Sequence, residues 1–420
     1  MKFKVTKSQL GGEIQIPASK SHTIRAIAVA TMADGESILK SPLVSADALS
    51  CVDAGREMGA VIKTGDDYIV KGVGGKPKAS CKYINVGNSG TTLRIFAGLA
   101  ALSDQKITFD GDNSIRGRPM LPLISALEKL GVKIESTDGK CPLTIQGPIK
   151  GGKTSVKAVS SQFLTALLFA CPLAEGDTEI EVELLNEEPY VEITLDWLKM
   201  QGIQFEQKGL MWYKIKGGQK YKPYNRHIPA DFSTATFAIV AAAITGAEIL
   251  IKGLDFSDSQ GDKVIFDHLQ KMGVLVKHTE KGVLVKGGEL KGIDIDMNAT
   301  PDALPAMAVA GCFAKGTTRL LNVPQARLKE CDRIAAMTQE LKKMGADITE
   351  LADGLIINHS KLKAAHVHGH DDHRIVMAMT LAGMTIDGET IIDTAEAAGV
   401  TYPGFKDDFT ALGGKITAID

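Results

Sequence analysis

A glycine placed just after an apolar helix end recurs along this chain at nearly constant spacing. That period restricts the fold more than any other feature. The pairs Met58-Gly59, Leu130-Gly131, Met272-Gly273, Met344-Gly345 and Leu412-Gly413, with Met200-Gln201-Gly202 carrying one inserted residue, set these glycines 72, 71, 71, 72 and 68 residues apart. Each closes an amphipathic stretch, such as residues 121–130, and precedes a strand-like run, such as residues 132–135. Each therefore reads as a helix C-cap. A second series, Gly35, Gly176, Gly246, Gly316 and Gly388, divides alanine-rich helices from short β-rich segments with the same period. The second repeat lacks that glycine and carries Ser103-Asp104-Gln105. The chain thus predicts six copies of a strand, helix, strand, helix, strand, strand unit.

Six such units in 420 residues exceed one hydrophobic core, so three plus three is the expected division. The polar, proline-containing stretch 219–229 is the candidate linker. The opposite crossing falls near Pro17-Ala18 if the first strand pairs with the C-terminal half. The predicted fold is therefore α/β (α+β) with two domains, residues 1–17 plus 229–420 and residues 18–228.

Composition narrows the function. With 44% hydrophobic and 23% charged residues the chain matches a globular protein, which excludes disorder, collagen and coiled coil. Lys plus Arg (48) nearly balance Asp plus Glu (50), so no nucleic-acid partner is expected. Met1-Lys2-Phe3-Lys4-Val5 lacks a signal-peptide core, and the longest apolar run, residues 237–244, is far short of the roughly 20 residues that span a bilayer. Cysteines 51, 81, 141, 171, 312 and 331 show neither disulfide-framework nor zinc spacing. The reading is a cytoplasmic protein without membrane partner or metal. The alternating His366-Val-His-Gly-His370 is the one candidate for a stray divalent ion.

The helix starts carry the chemistry. The first helix of each repeat opens on polar residues: Ser19-Lys20-Ser21 with Arg25, Asn88-Ser-Gly-Thr91 with Arg94, Ser160-Ser-Gln162, Asp231-Phe-Ser233, Thr300-Pro-Asp302 and Asp371-Asp-His-Arg374. Ordinary N-capping accounts for the Ser, Thr, Asp and Asn. It does not account for Lys20, Arg25, Arg94 and Arg374, because cations at a helix start oppose the macrodipole by some tenths of a kcal/mol each. Free N–H groups beside cations describe an anion site, so the set points to a multiply anionic substrate. Arg116-Gly-Arg118-Pro119 and Arg327-Leu-Lys329-Glu330-Cys-Asp332-Arg333 precede further helices. The second, taken alone, reads rather as a solvated ion-paired helix start.

These motifs, in this order from the first repeat to the last, resemble those of the 5-enolpyruvylshikimate-3-phosphate synthases (3-phosphoshikimate 1-carboxyvinyltransferases). The resemblance implies an inside-out α/β barrel built twice from βαβαββ units, with the active site in the interdomain cleft. It implies transfer of the enolpyruvyl group of phosphoenolpyruvate to the 5-hydroxyl of 3-phosphoshikimate, without a cofactor, by a monomer. By resemblance Asp302 takes the hydroxyl proton, Glu330 serves the methylene carbon, and Lys20 acts on the phosphate and reacting centre. Lys20, Gly90, Arg118, Gln162, Arg333 and Arg374 would hold phosphoenolpyruvate. Lys20, Ser21, Arg25, Ser160, Ser161, Gln162, Tyr190, Asp302, Gln325 and Lys329 would hold 3-phosphoshikimate. Shielding the donor from water implies that the two halves close around the substrates.

Three positions depart from the family pattern. Glu187 stands where a serine is usual near the phosphate. An acid there would repel the substrate, so Glu187 is expected to point away unless the local alignment slips. Val400 replaces a lysine on the phosphoenolpyruvate side, and Ile95 stands where some members have proline. Two other readings are a UDP-N-acetylglucosamine enolpyruvyltransferase and a non-catalytic binder of a phosphorylated ligand. The first is disfavoured because residues 110–117 lack its usual cysteine. The second is disfavoured because a binder has no need of the Asp302 and Glu330 pair.

Overall fold

The computed structural model describes residues 1–79 and 83–420; Cys81 lies outside them. The chain divides into two compact units, Met1–Pro17 with Pro229–Asp420, and Ala18–Ile228. Among the described residues the strands form six four-stranded sheets, three in each unit.

Every sheet repeats one plan. Tyr83–Asn85 pairs parallel with Ile107–Asp110, which pairs antiparallel with Lys140–Gln146, and Lys133–Thr137 forms the far edge. Two sheets draw their first strand from a distant part of the chain. Gly12–Gln15 pairs parallel with Glu248–Lys252, while Asn225–His227 pairs parallel with Glu36–Lys40. The N-terminal strand Lys2–Thr6 lies antiparallel between Glu389–Ile392 and Lys415–Ile419, completing the sixth sheet. Strands such as Asp67–Lys71 alternate exposed and covered residues, the period-2 signature of a sheet with one wet face.

In four sheets the parallel pair is joined by a crossover helix, the first helix of the repeat; in the two with a distant first strand, that helix leads into the second strand from a strand of another sheet. In the Ala18–Ile228 unit these helices are Lys20–Met32, Gly90–Ala100 and Ser161–Ala170. In the other unit they are Phe232–Thr245, Leu304–Phe313 and His373–Gly383. All are buried along almost their whole length, so apolar residues surround them rather than forming a stripe. Gly90–Ala100 packs on both its neighbours, close enough that a Cβ on Gly98 would lie 2.7 Å from the Ala166 carbonyl oxygen. Each unit is thus an inside-out α/β barrel, helices within and sheets without.

The glycine period has the expected cause. Gly59, Gly131, Gly202, Gly273, Gly345 and Gly413 all have left-handed φ, from 71° to 118°, which a side chain would strain. In the second series Gly35, Gly246, Gly316 and Gly388 do likewise. Gly176 is held instead by close approach, since a Cβ there would sit 2.8 Å from the Lys150 carbonyl oxygen.

Candidate active site

In the Ala18–Ile228 unit, serines cap the three central helices. Ser19, Ser89 and Ser160 accept from the amides of His22, Thr92 and Gln162. The cations the sequence singled out cluster at these ends. Lys20 Nζ lies 3.3 Å from Asp47 Oδ2, in the first turn of the Ala46–Glu57 helix. Arg25 is buried and donates to Thr194 Oγ1 (3.0 Å), the carbonyls of Ser21 (3.0 Å) and Tyr190 (2.8 Å), and Thr165 Oγ1 (3.5 Å). Burial lowers its pKa to about 10, while Tyr190 and Glu187 counter the shift.

Arg94 Nη1 donates to Gln162 Oε1 (2.6 Å), and Gln162 Nε2 to Thr91 Oγ1 (3.0 Å). The Arg94 guanidinium also lies 5.1 Å from the Phe163 ring centre. Arg118 Nη2 donates to Asn88 Oδ1 (3.1 Å) and Ser114 Oγ (3.2 Å). Gly90 leaves room for that guanidinium: a Cβ there would meet Arg118 Nη1 at 2.4 Å. Arg116, by contrast, is exposed and bound to Asp110 (2.7 Å), which it holds below the usual carboxylate range. Ser21, Ser160, Gln162 and Tyr190 are partly exposed around these groups.

Glu187 does not point away. It is buried, with φ 61° and ψ 42°, and its Oε2 accepts from Ser161 N (3.1 Å), Ser161 Oγ (2.8 Å) and Ser160 Oγ (3.4 Å). The carboxylate therefore sits on the N-terminus of the Ser161–Ala170 helix, where the macrodipole favours it. In this structure the acid occupies the two serines itself.

The second group of residues lies in the unit of Met1–Pro17 and Pro229–Asp420. Arg333 is its hub. This buried guanidinium donates to Asp302 (2.8 Å), Glu330 (2.6 Å) and Asp372 (2.8 Å). Burial opposes its charge, but the carboxylates of Asp372, Glu330 and Asp302 outweigh it and keep the group protonated far above the ordinary arginine value. Asp302 also accepts from Arg374 (3.1 Å) and lies 3.9 Å from Lys329 Nζ. Arg374 reaches the Ser233 carbonyl as well (3.1 Å). Asp372 caps the His373–Gly383 helix by accepting from Arg374 N (2.8 Å).

Gln325, buried in the turn Pro324–Leu328, donates to the Asn298 carbonyl (2.9 Å). The motif 327–333 is ion-paired along its length. Arg327 pairs with Asp332 (2.6 Å) and Glu350 (2.8 Å), while Lys329, Glu330 and Arg333 join Asp302. Val400 ends the short helix Ala395–Val400, half-buried, and Ile95 is fully buried.

The histidine run is engaged otherwise. His368 Nδ1 bonds Asp393, and His370 Nε2 lies 2.9 Å from Glu340. Among the described residues no group of three or more His, Cys, Asp or Glu is arranged to hold a metal ion. Cys51, Cys141, Cys171, Cys312 and Cys331 form no disulfide. No helix among the described residues is long and apolar enough to cross a membrane. Asp47, Thr165 and Thr194 are partners that sequence reasoning missed; the one signal for Asp47 was its place just after the Ser45 cap.

Two three-repeat inside-out barrels whose helix starts carry a lysine, arginines and carboxylates are suited to small acidic ligands. The comparisons with known proteins make this specific. Residues 5–409 match the family model for EPSP synthase (3-phosphoshikimate 1-carboxyvinyltransferase), and the chain belongs to that family. A 3-phosphoshikimate 1-carboxyvinyltransferase of Acetivibrio thermocellus is 52% identical, covering 100% of both chains. One of Ruminiclostridium cellulolyticum is 50% identical, again with 100% of both covered. Among solved structures, the EPSP synthase of Acinetobacter baumannii superposes with a TM-score of 0.83 at 28% identity, covering 100% of each chain.

Proposed function

We propose that this chain transfers the enolpyruvyl group of phosphoenolpyruvate to the 5-hydroxyl of 3-phosphoshikimate, releasing phosphate, in the route to chorismate and the aromatic amino acids. The hydroxyl oxygen bonds to the central carbon of phosphoenolpyruvate and gives its proton to Asp302, while the methylene carbon takes a proton from Glu330. Loss of phosphate and of a methyl proton then restores the double bond in the product. Lys20 serves the phosphate and the reacting centre.

The observation that carries this reading is the shared guanidinium. Arg333 binds Asp302 through Nη1 and Glu330 through Nη2, which seats two carboxylates on one guanidinium and offsets their mutual repulsion. In the proposed complex Gly90, Arg118, Gln162, Arg333 and Arg374 hold phosphoenolpyruvate. Ser21, Arg25, Ser160, Ser161, Gln162, Tyr190, Gln325 and Lys329, with Lys20 and Asp302, hold 3-phosphoshikimate. The two residue sets then serve one reaction, with 1–17 plus 229–420 and 18–228 acting as two domains that close on the substrates. The same reading takes the protein as a cytoplasmic monomer; it needs no cofactor or metal because the donor carries its own leaving group and the steps are addition, elimination and proton transfer.

Phosphate release measured with both substrates tests it. Asp302→Asn and Glu330→Gln should each lower kcat by about 10²–10⁴-fold with the melting temperature little changed. Wild-type turnover in both variants would refute the acid–base assignment.

A further inference from the structure

Glu187 has a use that the catalytic reading leaves unexplained. Its carboxylate oxygen takes the amide and hydroxyl of Ser161 and lies within 3.4 Å of the Ser160 hydroxyl. Those donors were assigned above to 3-phosphoshikimate, and Glu187, which reaches them, stands at the position placed near its phosphate. One N–H or one hydroxyl serves one strong acceptor at a time, so carboxylate and phosphate compete for the same hydrogens. The charges compete as well. Arg25 is buried against the neutral oxygens of Thr165, Thr194, Ser21 and Tyr190, and Glu187 is an acid whose field it feels. A non-glycine residue at φ 61° is uncommon, and this one is held there while its side chain reaches away from its own helix to the Ser161 amide.

We propose that Glu187 is a built-in stand-in for the substrate phosphate: it fills the Ser160/Ser161 cradle when the protein is empty and leaves it when 3-phosphoshikimate binds. The inference rests on the function proposed above and adds a specificity-determining residue to it. In the empty unit Glu187 supplies the negative charge that the Ser161–Ala170 helix start and the Arg25 guanidinium would otherwise lack. A ligand must carry enough charge to displace it. A phosphorylated acceptor does, whereas the same ring without phosphate brings no anion to the cradle. Glu187 therefore raises the Kd for the phosphorylated acceptor and sharpens rejection of weaker anions in the same position.

The test is equilibrium binding by calorimetry to the full chain, with 3-phosphoshikimate and with shikimate, for wild type, Glu187→Ser and Glu187→Gln. Glu187→Ser should lower the Kd for 3-phosphoshikimate by about tenfold or more, the size of one charge-assisted hydrogen bond, and leave the Kd for shikimate unchanged. Glu187→Gln keeps an acceptor in the same shape without the charge and should give a smaller gain in the same direction. It carries the test if the serine variant melts. A carboxylate that merely holds the Glu188–Met200 helix start in place predicts the opposite, a lower melting temperature with unchanged or weaker binding in both variants. That result overturns the inference. The wild-type control separates the two levels: failure to bind 3-phosphoshikimate or to release phosphate would remove the proposed function itself, whereas normal turnover without tighter binding in the variants removes only the role of Glu187.

Discussion

Replacing Gly90 with alanine should move stability and affinity in opposite directions. Gly90 opens the Gly90–Ala100 helix with a φ outside the left-handed range, so alanine fits the backbone and should favour the helix by up to about 1 kcal/mol. Its Cβ, however, would stand 2.4 Å from Arg118 Nη1, where ordinary contact begins at 3.4 Å. The guanidinium must retreat by about 1 Å, and it can, because it is the end of a flexible side chain. That retreat disturbs its bonds to Asn88 (3.1 Å) and Ser114 (3.2 Å) and its aim at phosphoenolpyruvate. A charge-assisted hydrogen bond of about 1.5–3 kcal/mol is at stake, equivalent to about 10- to 150-fold in KM. The assay is phosphate release with phosphoenolpyruvate varied at saturating 3-phosphoshikimate, alongside a thermal melt. KM for phosphoenolpyruvate should rise into that range while the melting temperature holds or rises. An unchanged KM in a normally folded variant would show that Arg118 does not touch this substrate.

Arg333→Met should destabilise the protein by about 3–5 kcal/mol in urea, because it strands the carboxylates of Asp302, Glu330 and Asp372 that one buried guanidinium serves. Thr165→Val with Thr194→Val removes two acceptors from buried Arg25 and should cost about 1–3 kcal/mol in the same assay; no loss would mean that Arg25 is satisfied by the Ser21 and Tyr190 carbonyls alone. Acid stability should depend on Glu340. Burial pushes its carboxyl up, but Lys343, the His368 amide and His370 outweigh that and hold it below its usual value. A carboxyl so depressed contributes stability above the unfolded pKa, about 4.5, that is lost as pH falls through the folded value. The melting-temperature gap between wild type and Glu340→Gln should therefore be constant near neutrality and shrink below about pH 4.5.

The period of the glycines was legible because it has a local cause, a left-handed residue after each helix, which only the backbone of that residue decides. The strand pairings of Gly12–Gln15 and Asn225–His227 were less so, since a strand's own residues state its two faces but not its neighbour. Within the site, the cations and acids announced themselves by type and position. Their partners did not. Thr165 and Thr194 read as ordinary helix residues, and only packing shows that both seat Arg25. Glu187 was noticed as an acid out of place, yet its direction could not follow from sequence. The left-handed φ that turns it toward Ser161 belongs to no local motif and is held by the surrounding fold.

The two units solve the same electrostatic problem differently, and the difference lies in one residue per repeat. In 18–228 each central helix is capped by a serine: Ser19, Ser89 and Ser160. In the other unit each starts at an aspartate. Asp231 and Asp372 are caps, and Asp302 lies in the turn Pro301–Ala303 leading into Leu304–Phe313. A serine satisfies an amide without charge and leaves the positive helix end available, whereas an aspartate neutralises it. The six helix starts therefore differ in what they offer an anion. The serine-capped ends, flanked by Lys20, Arg25, Arg94 and Arg118, are suited to receive anions. The aspartate ends bring their own acids, and Arg333 and Arg374, assigned above to phosphoenolpyruvate, also bond Asp302 and Asp372. In the function proposed above, the serine ends take the larger part in holding anions and the aspartate ends the larger part in proton transfer. Glu187, an acid set on the Ser160-capped end, is the exception within the serine-capped unit, which is why its removal is the sharpest probe of that division.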